Sequence, residues 1–303
     1  MKGAIGIDIG GTKTAFGAVA PDGRFVAQRT IATQPEDSFE AGFQRITDEV
    51  EQLLSDADWQ LADVSGIGVG CPGPVDYERG IILSIYTLPG WSNHAFATPL
   101  SEQFGLPVRL ENDANAALLG EAIAGAAQGS KSAVMLTLGT GVGGAVLLDG
   151  RIYHGAGGAH PELGHIPVLP DGPECYCGRR GCYEIIAAGP AIADIGAEIG
   201  LDGSEAVFTA AAAGEPKAAA IIDGVTAATE VAVWSLLHTY LPEVILFGGG
   251  IVDGHWPLFE AAAHKSLAAA VLARNEGITI ARASLGNDAG MVGAASLVLK
   301  EKD

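Results

Sequence analysis

The order and spacing of three cysteines and one histidine suit a metal ion. Cys175, Cys177 and Cys182 fall within eight residues, and His165 lies ten residues before the first of them. One imidazole and three thiolates form a closed tetrahedral set, which is typical of structural Zn²⁺ rather than of a catalytic ion with an open position. The alternative is three buried thiols and a surface histidine, and the glycines between the ligands favour the metal. We therefore predict a structural zinc site with these four ligands.

Two glycine-rich segments look like copies of one hairpin. Residues 5–24 and residues 134–151 each contain an apolar run, a glycine turn, a second apolar run and an Asp-Gly turn followed by arginine. This order predicts a strand, a tight loop, a second strand and a turn. Two such loops, one in each half of the chain, are able to hold one polyphosphate from opposite sides.

Polar residues in the two loops indicate phosphate and metal chemistry. Asp8 ends a predicted strand beside glycines, where its carboxylate is able to hold Mg²⁺ through water. Lys13 offers a charge, Thr12 and Thr140 offer hydroxyls, and the loops offer backbone N–H groups to phosphate oxygens. The alternative is two ordinary hairpin turns, but the pairing and the polar additions favour function. The predicted metal- and phosphate-binding residues are Asp8, Gly10, Gly11, Thr12, Lys13, Thr140 and Gly141, and Gly249, in the glycine run 248–250 after a predicted strand, is added to them.

Two common nucleotide-binding motifs are disfavoured. The run of residues 139–144 matches the Gly-x-Gly-x-x-Gly dinucleotide fingerprint in form, but residues 145–150 read as a strand and a turn. A dinucleotide fingerprint should instead open a helix. The first loop lacks the Lys-Ser/Thr pair of a Walker A motif, so that motif is disfavoured as well.

Asp113 follows a predicted strand and stands at the start of a predicted helix. One interpretation is a helix N-cap, a position at which Asp and Asn are common. The other is a general base that takes the proton from an attacking hydroxyl in phosphoryl transfer. The residues alone leave both roles open, and the two roles are compatible.

Strands alternate with helices in both halves of the chain, and each half opens with a hairpin. The predicted helices outside the hairpins are 40–54, 99–104, 114–127, 190–199, 216–240, 257–273 and 289–300, and the predicted strands are 64–70, 108–110, 243–247 and 278–281. This alternation predicts an α/β fold of two related domains with a cleft between them. We place a small N-terminal domain at residues 1–113, with the C-terminal helix 289–303 packing back on it. A larger domain with the zinc-binding loop occupies residues 114–288.

The composition predicts a globular protein in the cytoplasm. Of the 303 residues, 48% are hydrophobic and 17% are charged, which allows a sizeable core and disfavours disorder. The net charge of −19 argues against a nucleic-acid surface. Met1-Lys2 leads straight into a strand-like segment, and no apolar run approaches the roughly 20 residues of a membrane span. We therefore expect neither a nucleic-acid nor a membrane partner.

Five motifs together resemble the ROK family of sugar kinases, repressors and related proteins, within the actin-like ATPase superfamily. The resemblance covers nearly the whole chain, and the motifs stand in the family's order. They are Asp8-Ile-Gly-Gly-Thr-Lys13, Glu111-Asn-Asp-Ala-Asn115, Leu138-Gly-Thr-Gly-Val-Gly-Gly144, Glu162-Leu-Gly-His165 and the Cys-x-Cys-Gly-x-x-Gly-Cys-x-Glu run of residues 175–184.

The resemblance implies two actin-like, ribonuclease H-like α/β domains and an ATP- and Mg²⁺-dependent hexose kinase, with glucose at its 6-hydroxyl as the favoured substrate. Fructokinase and N-acetylhexosamine kinase are the alternatives within the family. The resemblance makes Asp113 the base. The sugar-binding residues it implies are Gly73, Asn93, Asn112, Glu162, His165 and Glu184. Because the family often forms dimers, a homodimer is expected.

One departure from the glucokinase pattern bears on the substrate. Glucokinase-like members commonly carry Gly-Glu before Leu-Gly-His, whereas this chain has His160-Pro161-Glu162. That form, together with the Gly-Pro-Ala-Ile run at 189–192, is similar to bacterial fructokinases of the family. Residues 88–93, residues 111–115 and the complete cysteine cluster look instead like glucokinase. At this level the preferred hexose and the role of His160 stay open.

Two alternatives from other functional classes are disfavoured. ROK repressors carry an N-terminal helix-turn-helix domain, and in this sequence the phosphate loop already begins at Asp8, so we expect no such domain. A sugar-binding module without catalysis would predict the loss of Asp8 or Asp113. Both residues are present, and we therefore expect an enzyme.

Overall fold

The computed structural model of the chain describes residues 2–272 and 277–299. Its strands are β1 (Gly3–Ile9), β2 (Lys13–Val19), β3 (Phe25–Ala32), β4 (Val64–Cys71), β5 (Val75–Asp76), β6 (Ile81–Ile82), β7 (His94–Ala95), β8 (Val108–Asn112), β9 (Ala133–Leu138), β10 (Val142–Leu148), β11 (Arg151–Ile152), β12 (Val244–Gly248) and β13 (Thr279–Arg282). Its helices are α1 (Phe39–Asp56), α2 (Ala97–Phe104), α3 (Asp113–Ala124), α4 (Glu184–Ala187), α5 (Gly189–Glu198), α6 (Ser204–Ala212), α7 (Pro216–Tyr240), α8 (Gly250–Ala269) and α9 (Ala289–Ser296).

The chain divides into two compact units. Unit 1 comprises Met1–Gly129, Ile152–His160 and Ser284–Asp303, and unit 2 comprises Ser130–Arg151 and Pro161–Ala283. Each unit has a hydrophobic core of its own, built from strands of its sheet and the helices that pack on them. The two units therefore fold around separate hydrophobic cores.

The sheets of the two units have the same strand pattern. In unit 1 the order is β3-β2-β1-β4-β8, with β1 antiparallel to β2 and parallel to β4. In unit 2 the order is β11-β10-β9-β12-β13, with β9 antiparallel to β10 and parallel to β12. The two predicted hairpins, β1–β2 and β9–β10, are thus both present, and each is extended by parallel strands on the same side.

Burial along the elements explains which of them the sequence predicts well. β1 and β4 are buried along nearly their whole length and read as continuous apolar and small-residue runs. β3 alternates between half-buried and exposed residues at the edge of its sheet, and it is not predicted, nor is α6. α8 begins at Gly250 rather than at the predicted Pro257, because the helix accommodates that proline after a kink at His255. Ala273, its predicted last residue, lies outside the described residues.

Helix α9 packs very close to its neighbours in unit 1, and glycines make this possible. A Cβ atom added at Gly6 of β1 or at Gly68 of β4 would overlap the backbone of α9. Toward α3, a Cβ atom added at Gly293 would overlap the carbonyl group of Ala116. Residues 289–295 of α9 are all buried. The helix is therefore held between the sheet and α3 at nearly the shortest distance that backbones allow.

This packing places α3 differently from the predicted domain boundary. The prediction ends the N-terminal domain at residue 113, whereas the structure has all of α3 in unit 1. The reason is the contact between α3 and α9, two elements far apart in the sequence. Residues 152–160 also belong to unit 1, although the prediction assigns them to the larger domain. Of the predicted C-terminal helix, residues 289–296 are helical and residues 300–303 lie outside the described part of the chain.

Helix α7 is the one helix among the described residues that is long and apolar enough to cross a membrane by length and composition. Within its most apolar window, 44% of the residues are buried inside the protein. Core helices of globular proteins meet the same two criteria. The buried residues of α7 belong to the hydrophobic core of unit 2, and its apolar character is accounted for by that packing.

Replacing Gly293 by alanine should destabilise the fold, because the added methyl group would push α9 away from α3. Overpacking of this kind costs about 1–3 kcal/mol, which thermal unfolding followed by circular dichroism would detect as a lower Tm. Gly224 is the matched control, since it is an exposed helical residue of α7 with no atom within 4 Å of an added Cβ. Gly224→Ala should leave Tm unchanged or raise it. Equal Tm values for the two variants would contradict the close packing of α9.

Candidate active site

In unit 1 three parallel strands, β1, β4 and β8, end side by side. Their register places Asp8 opposite Gly70 and Gly70 opposite Glu111. A Cβ atom at Gly70 would lie 3.8 Å from Oδ1 of Asp8 and 3.9 Å from Cα of Asp113. The carboxyl ends of parallel strands are the usual place for ligand sites in α/β folds. Two aspartates that the sequence assigns to separate roles are therefore both adjacent to Gly70, at one edge of the sheet.

The carboxylate of Asp8 is half-buried and poorly solvated. It lies against Gly290 in the first turn of α9, where an added Cβ atom would be 2.6 Å from its Cγ. Burial raises the pKa of Asp8 to about 7, the negative charge of Asp113 adds to the rise, and Lys13 opposes it. A cation beside Asp8 would favour its ionised form. A pKa perturbed in this way marks Asp8 as a candidate functional residue.

The first glycine loop is closed by hydrogen bonds that involve a residue outside the predicted set. The N–H of Gly10 donates to the carbonyl of Lys13 at 2.9 Å. The hydroxyl of Thr33 donates to the carbonyl of Gly10 at 2.7 Å, and its N–H donates to the carbonyl of Thr12 at 3.0 Å. Gly11 is half-buried, whereas Thr12 and Lys13 are exposed. No local sequence signal marks Thr33, because it reaches the loop only through the pairing of β2 with β3.

The N-cap of α3 is Asn112 rather than Asp113. Oδ1 of Asn112 accepts hydrogen bonds from the N–H groups of Ala114 at 3.0 Å and Asn115 at 3.2 Å. Asp113 is the first residue of the helix, and its Oδ1 accepts from the N–H of Ala114 at 2.8 Å. Solvent reaches the Asp113 carboxylate, yet desolvation by the surrounding protein raises its pKa. The N-cap interpretation of Asp113 is therefore wrong, since its neighbour supplies the cap.

Two other residues predicted to bind sugar lie in different parts of unit 1. A Cβ atom at Gly73 would be only 3.2 Å from Nδ2 of Asn112 and 2.6 Å from Cε1 of His160, so Gly73 lies next to both side chains. Asn93 is exposed with a φ angle of 64°, and its N–H donates to the carbonyl of Ile82 at 2.7 Å. The contacts described for these residues join Gly73, but not Asn93, to the surroundings of Asp113.

In unit 2 the second glycine loop is closed on itself and tied to a glutamate. The N–H of Gly139 donates to the carbonyl of Gly141 at 2.9 Å. Oε2 of Glu184 accepts a hydrogen bond from the N–H of Val142 at 2.8 Å, directly after the loop. Thr140, at the tip of the loop, is exposed. Glu184 is predicted to bind sugar, and in the structure one of its oxygens also braces the predicted phosphate loop.

Two helices of unit 2 begin beside this loop. α5 starts at Gly189, whose N–H donates to the carbonyl of Gly139 at 2.8 Å. The N-cap of α8 is Gly249, which has a φ angle of 92° and lies so close to Leu138 that no Cβ atom would fit. Free N–H groups at the start of a helix attract phosphate. Unit 2 thus brings together the predicted residues Thr140, Gly141 and Gly249.

The four predicted metal ligands also lie together in unit 2. The ligand atoms of His165, Cys175, Cys177 and Cys182 are all within 4.8 Å of one another. Nδ1 of His165 is 3.5 Å from Sγ of Cys175, and the Sγ atoms of Cys177 and Cys182 are 3.5 Å apart. A disulfide would require about 2 Å, whereas these separations suit the edges of a tetrahedron with metal–ligand bonds of about 2.1–2.3 Å. The donor set and its geometry fit one tetrahedral metal ion.

A short 3₁₀ turn, Leu163–His165, positions the histidine ligand and the glutamate before it. A Cβ atom at Gly164 would overlap the carbonyl of Val142, so the turn lies directly on β10. The N–H of His165 donates to the carbonyl of Glu162 at 3.0 Å, and Glu162 itself is exposed. Because Nδ1 of His165 faces Cys175, the other ring nitrogen, Nε2, is the atom that a second ligand would use.

A buried carboxylate that is not predicted connects α3 to the segment before α9. Glu121 is fully buried and accepts hydrogen bonds from the N–H of Ala126 at 2.7 Å, the N–H of Leu285 at 2.8 Å and the hydroxyl of Ser284 at 3.1 Å. These three hydrogen bonds satisfy the polar atoms of a side chain that is shielded from water. In the sequence, Glu121 is recognisable only as a single acidic residue within the otherwise apolar run 116–124. Its role is structural, since it orders the approach of the chain to α9.

Comparison with known proteins identifies one family over nearly the whole chain. A family model described as ROK family matches residues 4–301. The glucokinase of Thermotoga maritima is 36% identical over 97% of this chain and 96% of its own length, and that of Halalkalibacterium halodurans is 33% identical over 99% and 96%. The fructokinase of Zymomonas mobilis is 33% identical over 97% of this chain and 95% of its own length.

Solved structures are similar over the same extent. The ROK hexokinase from Thermus thermophilus has a TM-score of 0.86 and 35% identity, covering 97% of this chain and 96% of that one. A ROK family glucokinase from Streptomyces griseus, solved in complex with glucose and AMPPNP, has a TM-score of 0.74 and 30% identity over 98% and 99% of the two chains. The predicted fold class, α/β with two actin-like domains, is confirmed. The chain therefore belongs to the ROK family.

Proposed function

We propose that the protein is an ATP-dependent hexose kinase that phosphorylates glucose at its 6-hydroxyl. The observation that carries the proposal is the position of Asp113, a solvent-accessible carboxylate at the first residue of α3 and adjacent to Gly70 at the strand ends. Asp8 lies at the same edge with a raised pKa. Glucokinases that match the chain over nearly its whole length support the choice of reaction and of hexose.

Asp113 is assigned as the general base. A sugar hydroxyl becomes an effective nucleophile as it loses its proton, and a carboxylate within hydrogen-bond distance accepts that proton during attack on the γ-phosphate. Desolvation raises the pKa of Asp113 and so increases its basicity. Asn112 uses Oδ1 to cap α3, and its side-chain amide also favours the ionised form of Asp113. The Nδ2 group has two N–H bonds, so one is able to donate to a neighbouring sugar hydroxyl.

The residues assigned to ATP lie in the two glycine loops and at the start of α8. Glycine N–H groups, threonine hydroxyls and the lysine ammonium are donors that suit phosphate oxygens. Asp8 is assigned to Mg²⁺ through water. The ion, when bound, neutralises charge on the phosphate oxygens. The assigned phosphate-binding residues are Gly10, Gly11, Thr12, Lys13, Thr140, Gly141 and Gly249.

The sugar-binding residues combine acceptors and donors, as a polyhydroxyl ligand requires. Carboxylates accept hydrogen bonds from hydroxyls, whereas imidazole and amide N–H groups donate. The exposure of Glu162 and the orientation of His165, with Nδ1 toward Cys175, support their assignment. The assigned sugar-binding residues are Gly73, Asn93 and Asn112 in unit 1 and Glu162, His165 and Glu184 in unit 2.

We further propose that the cluster of one histidine and three cysteines holds a structural Zn²⁺ ion. The four ligands form a closed set, which leaves no position for a reacting water molecule. Glu162 lies three residues before His165, and Glu184 lies two residues after Cys182. The metal would therefore fix the segments that carry both glutamates rather than take part in the transfer.

The proposed partners are small molecules only, a hexose and ATP. A net charge of −19 disfavours binding to nucleic acid and to anionic membrane surfaces. In keeping with the ROK family resemblance, we propose a homodimer located in the cytoplasm. Sedimentation of the purified protein would measure the oligomeric state directly.

Glucose should be the preferred hexose in a coupled assay of ADP release with ATP and Mg²⁺. We expect a kcat/KM for glucose about tenfold or more above those for fructose, mannose and N-acetylated hexosamines, because a few hydroxyl contacts give that much discrimination. A preference for fructose would instead assign the enzyme as a fructokinase, in line with its His160-Pro161-Glu162 motif. The absence of turnover on every hexose would contradict the proposed function.

Replacing Asp113 by asparagine should remove the base and leave sugar binding largely intact. We expect kcat to fall about 10²- to 10⁴-fold, while calorimetry gives a glucose Kd within a few-fold of the wild-type value. Asp149→Asn is the matched control, because Asp149 lies in an exposed turn at a φ angle of 51°, which asparagine also tolerates. Near-normal turnover of the Asp113→Asn enzyme would show that another group is the base.

Freshly purified protein should contain one zinc ion per chain by plasma mass spectrometry. Cys177→Ser should lower the zinc content and reduce Tm, since a structural metal contributes directly to folding stability. Cys71→Ala removes a buried thiol of unit 1 outside the cluster and should retain the metal. Wild-type protein without zinc, or full zinc content in Cys177→Ser, would refute the assignment.

A further inference from the structure

The imidazole of His160 fills the space over Gly73, next to the amide of Asn112. A Cβ atom built on Gly73 would be 2.6 Å from Cε1 and 3.4 Å from Nδ1 of His160, and 3.2 Å from Nδ2 of Asn112. A side chain at residue 73 would therefore displace the ring. His160 is half-buried and ends the segment Ile152–His160 of unit 1. The ring and the amide converge at the strand end from which Asp113 follows.

His160 brings positive charge to a group of acidic side chains. The titratable groups that face this edge are Asp8 from β1, Cys71 from β4, Glu111 from β8, Asp113 from α3 and His160 from the segment 152–160. Desolvation raises the pKa of Asp113, whereas the hydrogen bond from the N–H of Ala114 and then the charge of His160 lower it. Lys13 acts in the same direction on Asp8. His160 thus opposes the desolvation that favours the protonated form of the proposed base.

The segment 152–160 is fastened to unit 1 through His154. Nε2 of His154 lies 3.0 Å from Oε2 of Glu111, whose side chain is only 4% exposed. The ring of Tyr77 packs on His154 with ring centroids 4.3 Å apart. Oε1 of Glu111 accepts a hydrogen bond from the N–H of Asn112 at 2.8 Å. One buried carboxylate therefore orients both this segment and the residue before the proposed base.

The segment itself is a closed turn, so that anchoring one end also positions the other. The N–H of Gly155 donates to the carbonyl of Ala159 at 2.6 Å, and the N–H of Gly158 donates to the carbonyl of Gly155 at 3.1 Å. Gly158 has a φ angle of 82°, and a Cβ atom there would be 3.0 Å from the ring of Tyr77. Tyr77 therefore contacts the segment at Gly158 as well as at His154.

We propose that His160 is a positioning residue that keeps Asp113 ionised and oriented for proton transfer, and that the contact of His154 with Glu111 holds it in place. This inference rests on the proposed function, because it assigns a role within the same phosphoryl transfer. No bond to His160 forms or breaks in this role. The imidazolium stabilises the carboxylate electrostatically, and Asp113 remains the group that accepts the sugar proton.

The test compares wild-type enzyme with His160→Gln, His160→Asn and His154→Gln, and the control is His238→Gln, in the last turn of α7. Both His160 variants should lower kcat about tenfold, with glucose Kd by calorimetry changed less than about threefold. The midpoint of the acidic limb of kcat/KM should move to higher pH, because a charge that lowers the pKa of Asp113 is gone. His154→Gln should shift the limb in the same direction, and His238→Gln should leave both kcat and the limb unchanged.

The outcomes separate this inference from the proposed function. An active wild-type enzyme whose His160 variants keep the wild-type kcat and acidic limb would overturn the inference and leave the kinase assignment standing. Loss of glucose affinity with an unmoved limb would make His160 a sugar contact and would also overturn it. Two different substitutions, each with its Tm measured, guard against a folding defect in either one. A wild-type enzyme without turnover on any hexose would overturn the inference and the proposed function together.

Discussion

The close approach of the α9 backbone to its neighbours is the constraint on which unit 1 depends. Glycines at positions 6, 68 and 293 allow the helix to lie against β1, β4 and α3 with no space for a methyl group. Gly290, in the first turn of the same helix, lies against the carboxylate of Asp8. Helix α9, near the end of the described chain, thus fixes the position of the Asp8 side chain on β1, the first strand of the chain. The location of the proposed Mg²⁺-linked aspartate is a consequence of helix packing.

The electrostatics of the strand ends follow from that packing. Desolvation raises the pKa of both Asp8 and Asp113, and the negative charge of Asp113 adds to the rise for Asp8, whose pKa reaches about 7. Positive charge and hydrogen-bond donors nearby favour the ionised form of such carboxylates. Lys13 and His160 supply part of that charge from the protein itself. A cation bound beside Asp8 would further favour its ionised form. The raised pKa of Asp113 makes this carboxylate a stronger base than an ordinary aspartate.

Features that depend on local spacing are the ones the sequence predicts. The two hairpins and the four clustered metal-ligand residues are each encoded within short stretches, and the structure has them all. The cap of α3 is also encoded locally, but Asn112 and Asp113 are adjacent and both residue types make good N-caps. Spacing alone therefore does not show which of the two is the N-cap. The contacts of Thr33 with the first loop and of His154 with Glu111 join residues that are far apart in the sequence. The spacing of apolar residues along the chain does not predict such contacts.

Glu184 links the proposed metal cluster to the second glycine loop, and this link gives a structural metal a route to catalysis. Cys182 is followed by Tyr183, a buried residue whose hydroxyl lies 2.9 Å from that of Thr229 in α7. Next comes Glu184, whose Oε2 accepts from the N–H of Val142 at the end of the loop. Three successive residues thus connect a metal ligand, the core of unit 2 and a backbone group of the proposed phosphate site. If the proposed zinc is bound there, it would stiffen the segment that ends in Glu184 and so would support the hydrogen bond from Val142 beside the proposed phosphate loop.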